Sequence, residues 1–355
     1  MGLVKNSGEV SDLNTHILEV FPDPVILLNK LREVIFRNQA AQDMLDIYVD
    51  RNLELSFRDP IVLEATDAVL NGEKQREIEL IISLPVIITL QVRIVAIGPI
   101  NQFFKTAAMI VFHDISSESI AERMRRDFVS NLSHELRSPI ASLIGFIETL
   151  QGPAKEDVGS HGRFLEIMSN EAQRMARMID DLLSLSRVEA SERMRPQQTV
   201  DITELLGVTE ELFISRVQRR SMRLDFDMDP NLPILLGDRD ELMEVFQNLI
   251  DNAIKYGQEK TPITIGVGLI DCIPEIGGPG ISISIKNKGE GIKADQISRL
   301  TERFYRTDKG RSREMGGTGL GLAIVKHIIS RHRGHLQIQS KLNKSTTFTV
   351  YLPLN

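Results

Sequence analysis

Between residues 128 and 322 four short motifs follow one another, and each demands its own local structure. His134-Glu135-Leu136-Arg137-Ser138-Pro139 lies on an apolar helical pattern. Asn248-Leu249-Ile250-Asp251-Asn252-Ala253 sets two amides four residues apart, on one helix face. Gly289-Glu290-Gly291 and Gly317-Thr318-Gly319-Leu320-Gly321 are loops whose backbone can pass close to a ligand, because no Cβ intervenes. A chain carrying all four needs a long helix that exposes an imidazole and an α/β layer with a glycine-lined cleft. That combination implies transfer of a phosphoryl group onto the chain's own side chain.

The 355 residues are enough for two or three domains, and 42% hydrophobic with 26% charged residues is an ordinary globular composition. A net charge of -7 argues against a general nucleic-acid or anionic-membrane binder. Cys272 is the only cysteine, which excludes an internal disulfide or a cysteine-based zinc cluster and fits a reducing cytoplasm. The most apolar stretch, 78–100, contains Glu79, Pro85, Gln91 and Arg93 and alternates like strands. A membrane span needs about 20 predominantly apolar residues, so no transmembrane segment is expected, and residues 1–16 are too polar for a signal peptide. The chain is expected in the cytoplasm, or peripheral at the inner membrane through partners.

Four segments are expected. Residues 1–11 read as a flexible terminus. Residues 12–115 read as a small α/β unit: strands at 24–29 and 33–38, helices at 39–45 and 60–70, then a meander at 75–83, 87–97 and 105–113. This order resembles PAS sensor domains, down to Asn38-Gln39-Ala40-Ala41 and Asp114-Ile115-Ser116. The unit either binds an unknown ligand or serves as a dimerisation and relay module. Residues 116–192 read as a helical hairpin with its turn at 151–161. One stripe runs through Val129, Leu132, Leu136, Leu143, Ile147 and Leu150, the other through Phe164, Met168, Met175, Met178, Leu182 and Leu185. Such a hairpin cannot bury both stripes alone, so two copies are expected to form a four-helix bundle and the protein a homodimer. Residues 193–355 read as an α/β sandwich, with helices at 202–218, 240–256, 294–303 and 318–333 and strands at 223–228, 263–269, 281–287, 335–340 and 347–352. The whole is a multidomain α+β chain.

His134 is two residues from both Leu132 and Leu136, so it is rotated roughly 200° from each and faces solvent. A neutral imidazole offers a lone pair as a nucleophile, and Glu135 can orient the ring or take the proton from its other nitrogen. Pro139 removes a backbone donor one turn below. Ser138, four residues on, can position a water for removing a phosphoryl group. His113, His161, His327, His332 and His335 have no comparable neighbourhood. In the second motif an amide oxygen is a ligand suited to Mg²⁺, Lys255 reaches a phosphate and Tyr256 lies against a base. The last glycine run opens a helix whose free N–H groups suit phosphate, behind a basic loop at 307–316 carrying Lys309, Arg311 and Arg313. Arg303 and Arg306 add charge near a terminal phosphate, and Phe304 and Tyr305 anchor the loop.

With these residues in place, 116–355 resembles the sensor histidine kinases of bacterial two-component systems. Residues 128–139 resemble the phosphoacceptor box, 248–256 the N box, 287–292 the first glycine box, 302–306 the F box and 317–322 the second glycine box. The run Leu300-Thr301-Glu302-Arg303-Phe304-Tyr305-Arg306 looks most like the phosphate-regulon sensors. The resemblance implies a histidine-kinase-type ATPase sandwich that uses ATP and Mg²⁺ and phosphorylates His134 in a dimer. The phosphoryl group then passes to an aspartate of a response regulator. The expected catalytic residues are His134, Glu135 and Ser138. The expected nucleotide contacts are Asn248, Asn252, Lys255, Tyr256, Asn287, Gly289, Gly291, Ile292, Arg306, Gly317, Thr318, Gly319, Leu320, Gly321 and Thr347, with Asn252 on the metal. Asn248 stands where related ATPases carry a general-base Glu, which protects the terminal phosphate from hydrolysis.

Three departures are visible. Asn287 replaces the Asp that accepts from the adenine amine, at a cost of about 1–2 kcal/mol, and leaves open a second reading as a signalling scaffold with weakened ATP binding. Ser138 replaces the usual Thr, which leaves phosphatase activity plausible. Asn343-Lys344-Ser345 replaces a Gly-x-Gly. Many relatives carry N-terminal membrane helices, so a soluble member or a shortened gene product is expected.

Overall fold

The computed structural model describes residues 16–83, 87–97, 106–192, 194–307 and 317–354. Residues 1–11 and the basic loop beyond Thr307, with Lys309, Arg311 and Arg313, lie outside them. The chain divides into two units, Met1–Asp127 and Phe128–Asn355.

In the first unit, β1 (Val25–Asn29), β2 (Val34–Arg37), α1 (Gln39–Leu45), α2 (Leu53–Ser56), α3 (Pro60–Leu70), β3 (Gln75–Ser83), β4 (Ile87–Ala96) and β5 (Thr106–Asp114) follow in order. The strands form one antiparallel sheet in the order β2-β1-β5-β4-β3. Alternation along β4 and β5 buries Leu90, Val92, Ile94, Ile110 and Phe112 in one core with Val62, Ala65 and Val69 of α3. Fully buried Asn38 fastens this layer. Its Oδ1 accepts from Val25 N (2.9 Å) and Ala41 N (3.0 Å), while its Nδ2 donates to Asp23 O (2.8 Å). One amide thus caps α1 and fixes the start of β1.

The second unit begins inside α4 (Ser116–Gln151), which runs unbroken through Pro139, and continues with α5 (Val158–Ser191). The hairpin turn is tied by Phe146 against Phe164, 5.5 Å between ring centroids. The rest is built from β6 (Thr199–Val200), α6 (Ile202–Arg219), β7 (Arg223–Met228), β8 (Leu235–Leu236), α7 (Arg239–Tyr256), β9 (Pro262–Ile270), β10 (Gly280–Lys288), α8 (Ala294–Ile297), α9 (Gly321–Arg331), β11 (His335–Lys341) and β12 (Ser345–Pro353). The sheet order is β11-β12-β10-β9-β7, antiparallel except for the parallel pair β7–β9. Helix α7 buries Leu242, Val245, Phe246, Leu249, Ile250, Ala253 and Ile254, spaced by threes and fours, in one core with Ile283 and Ile285 of β10. Its other side carries both motif asparagines.

Two expected helices are shorter than the sequence suggests. Helix α8 ends at Ile297, after which i→i+3 bonds such as Leu300 N to Ile297 O (3.2 Å) and Glu302 N to Arg299 O (2.9 Å) take over. The expected start at residue 318 moves to Gly321, because Gly319 has φ +77° and cannot belong to a right-handed helix.

His332, assigned no chemistry above, bolts α7 to α9. It is 2% exposed; its Nε2 accepts from Asp238 N (2.9 Å), and its Nδ1 donates to Ile328 O (2.8 Å). Burial pushes its pKa below the ordinary histidine value, and the neighbouring Arg331 and Arg195 act in the same direction. The neutral ring is therefore the bonded form. Its contribution is complete above the unfolded value of about 6.5 and is lost as pH falls from there towards the lowered native value, by about 1.4 kcal/mol per unit of lowering. Thermal melts of wild type and His332→Gln between pH 7.5 and 5 should show a steeper acid loss for wild type. Parallel curves would contradict this role.

Candidate active site

A cleft of about 820 Å³ opens beside α7. It is lined by Asn248, Asn252, Lys255 and Tyr256 from α7, by Asn287, Gly291 and Ile292 at the end of β10, and by Arg306, Gly317, Thr318, Gly319 and Gly321. The sequence therefore brings together most of its expected nucleotide contacts. The amide Nδ2 of Asn248 donates to Glu244 O (3.0 Å), which turns its Oδ1 towards Gly321. A Cβ on Gly321 would stand 2.5 Å from that oxygen, so the glycine is what lets the loop lie on α7. Asn287 is buried at the cleft's edge, with Nδ2 donating to Lys288 O at 3.3 Å.

Three expected contacts do not line the cleft. Gly289 lies behind it, pressed on the backbone carbonyl of Tyr256, 2.6 Å from where its Cβ would be. Leu320 is fully buried in the core, and its N–H donates to Thr318 Oγ1 (3.3 Å). Thr347 is displaced by strand alternation: Thr346 and Phe348 line the cleft, so Thr347 between them belongs to the other face of β12.

The cleft also has walls that the motifs did not reveal. Helix α5 contributes Arg177 and Asp181, and α6 contributes Phe213, Arg216 and Arg219. Thr318 Oγ1 donates to Asp181 Oδ2 (2.6 Å), and Ser184 Oγ donates to Glu244 Oε2 (2.7 Å). Burial raises the pKa of both carboxyls, partly offset by these hydroxyl bonds. Asp251 holds two cations, Lys255 Nζ at 2.6 Å and the guanidinium of Arg216. Its spacing of four from Lys255 is readable in the sequence, and so is Glu244 four before Asn248. No local pattern marks Asp181, which reaches the cleft only through the fold.

His134 and Ser138 are exposed on α4, as the helical geometry requires. Glu135 is different. Its Oε2 pairs with Arg174 Nη2 of α5 (3.2 Å) and with Arg306 Nη2 (3.3 Å). Arg306 Nη2 also donates to Thr318 O at 2.9 Å. Phe128 of α4 meets Phe304 at 5.8 Å between centroids, and Arg303 lies over the Phe128 ring while pairing with Glu189 at 2.6 Å. Phe304 and its neighbours thus join the long helices to the cleft. Glu135, the neighbour of the expected acceptor, is thus bonded through Arg306 to the glycine loop.

Comparison with known proteins follows this division. Residues 124–191 match the family model of the His Kinase A (phospho-acceptor) domain. Residues 237–355 match that of the histidine kinase-, DNA gyrase B- and HSP90-like ATPases. The sensor-like histidine kinase SenX3 of Mycolicibacterium smegmatis is 32% identical over 97% of this chain and 86% of its own length. The phosphate regulon sensor protein PhoR of Pseudomonas aeruginosa is 36% identical over 68% of this chain and 53% of its own, so the match spans about half of that relative. A crystal structure of histidine kinase ThkA in complex with response regulator protein TrrA covers 96% of this chain and 98% of that one. Its TM-score is 0.51 at 19% identity, a likeness of fold.

The contact of Gly321 with Asn248 is a sensitive point of the cleft. Gly321→Ala should displace the Asn248 amide and weaken Mg-ADP binding by roughly tenfold, equivalent to the loss of about one good hydrogen bond, with little change in melting temperature. Unchanged affinity by calorimetry would show that the amide does not need its present position.

Proposed function

This chain belongs to the sensor histidine kinases of two-component systems, protein-histidine kinases with an ATP-binding domain, and from that premise we propose that His134 is its phosphoacceptor. The cleft beside α7 holds the ATP that supplies the phosphoryl group. The observation that carries this reading is Arg306, whose guanidinium joins Glu135, the neighbour of exposed His134, to the carbonyl of Thr318 in the glycine loop.

The chemistry follows from the groups present. The lone pair of an imidazole nitrogen attacks the γ-phosphorus. An N–P bond forms, the bond to the β–γ bridging oxygen breaks, and ADP leaves with that electron pair. Glu135 takes the proton from the other ring nitrogen. Arg306, Lys255 and the loop N–H groups balance the charge that develops on the phosphates. Phosphoryl transfer then breaks the N–P bond and forms a P–O bond to a receiver-domain aspartate. Asn252 fits Mg²⁺, because its amide lines the cleft beside Asn248 and leaves most of the metal's shell to phosphate and water. The ion would neutralise phosphate charge. Asn248 cannot accept a proton from water, which favours transfer over hydrolysis. Exposed Ser138, one turn from His134, supports a phosphatase role.

Other features support the wider assignment. The order β2-β1-β5-β4-β3 supports a PAS-type sensor domain at 12–115, followed by a phosphotransfer hairpin at 116–192 and a catalytic domain at 193–355. Ile144, Leu165, Ile179 and Leu183 are 47–57% exposed on α4 and α5, which supports a homodimer that covers them in a four-helix bundle. The relationship to PhoR, and the wording of 300–306, support a place in phosphate-starvation signalling. No described helix is long and apolar enough to cross a membrane. The protein works at the cytoplasmic side, where its regulator and ATP are found. Asn287 favours a second reading, a scaffold with weakened nucleotide binding, because its neutral amide replaces a charged acceptor.

One experiment with two arms tests these readings. Incubation with γ-³²P-ATP should leave an acid-labile label that His134→Gln abolishes, and Mg-ADP should bind in the micromolar range. A label that survives His134→Gln rejects the acceptor assignment. Neither label nor Mg-ADP binding selects the scaffold.

A further inference from the structure

Outside the cleft, one buried cation is used by no step described above. Arg174 lies on α5 and is 7% exposed. Its Nη2 donates to Glu135 Oε2 (3.2 Å) and its Nη1 to Glu171 Oε1 (3.0 Å), while its buried Nε has no partner among the described residues. A guanidinium buried at the cost of one unmade hydrogen bond is a poor way to join two helices. An unbranched apolar residue of similar volume would pack there at least as well. The arrangement is better explained by the carboxylate that it holds.

We propose that Arg174 is the positioning residue of the phosphoacceptor site, fixing the carboxylate of Glu135, the residue next to His134. The proposal rests on the reading of His134 as acceptor and Glu135 as its base. Among the described residues Glu135 pairs with two arginines of different kinds. Arg306 sits beside the glycine loop and is also required by the phosphates. Arg174 belongs to the same hairpin as Glu135 and stays with it whatever the nucleotide layer does. When Arg306 turns to phosphate, Arg174 keeps the carboxylate in place. Glu171, three residues before Arg174 on the same helix, fixes the other arm of the guanidinium. The planar fork of an arginine can hold two carboxylates at once, whereas the ammonium of a lysine is a single point charge.

The test compares wild type, Arg174→Met and Arg174→Lys, with dimer content and melting temperature as controls. Initial autophosphorylation rates are measured across ATP concentrations. Because Arg174 does not line the cleft, the KM for ATP and the affinity for Mg-ADP should not change. The rate at saturating ATP should fall about 100-fold in Arg174→Met, the scale of a misplaced catalytic group, and at least about tenfold in Arg174→Lys. Millimolar guanidinium ion should restore part of the rate of Arg174→Met, which no purely structural role would produce. A folded Arg174→Met that labels at the wild-type rate overturns the proposal, as does a rise in KM at unchanged saturating rate. If Arg174→Met does not fold, Arg174→Lys decides: a wild-type rate there overturns the proposal. Failure of wild type itself to label would instead reject the kinase reading on which this proposal rests.

Discussion

In the second unit one buried guanidinium is held between the helical hairpin and the glycine loop. Arg306 is 5% exposed in its side chain and is shared between the Glu135 carboxylate and the Thr318 carbonyl. A buried ion pair is a weak source of net stability, because the attraction is offset by the desolvation of both charges. Its value lies in specificity. The shared guanidinium ties the Glu135 position of α4 to the glycine loop. The other contacts across the same seam have a similar character. Asp181 accepts from Thr318, and Glu244 accepts from Ser184. Burial raises the proton affinity of both carboxyls, so separating the layers would return them to water with their charge restored at lower cost.

The sheet and helix order was largely legible in the sequence, because burial imposes period two on strands and threes and fours on helices. β7 spans Arg223–Met228 as expected, and α7 starts one residue earlier than expected, at Arg239. The site was legible where it is local. Asn248 and Asn252 share a face by arithmetic, and His134 is exposed because the stripe of Leu132 and Leu136 faces inward. The departures from expectation have local causes too. Gly319 in the left-handed region ends what composition reads as a helix, and a one-residue step along β12 exchanges Thr347 for Thr346.

What sequence could not give is contact between distant segments. Asp181 and Thr318 are 137 residues apart, Glu135 and Arg306 are 171 apart, and neither pair has a local signature. Nothing in the sequence singles out Arg174, and His332 carries no motif around it. Each is defined by what the fold places around it. The four motifs therefore point to the cleft and to the exposed face of α4, but not to the groups packed around them.

In the proposed reaction the cleft beside α7 and helix α4 are coupled through Arg306. Hydrogen–deuterium exchange with and without Mg-ADP tests it most directly. In wild type, nucleotide should protect residues 245–256 and also change exchange at 131–138, and Arg306→Gln should remove only the second response. Protection of 245–256 in wild type with identical exchange at 131–138 would contradict the coupling.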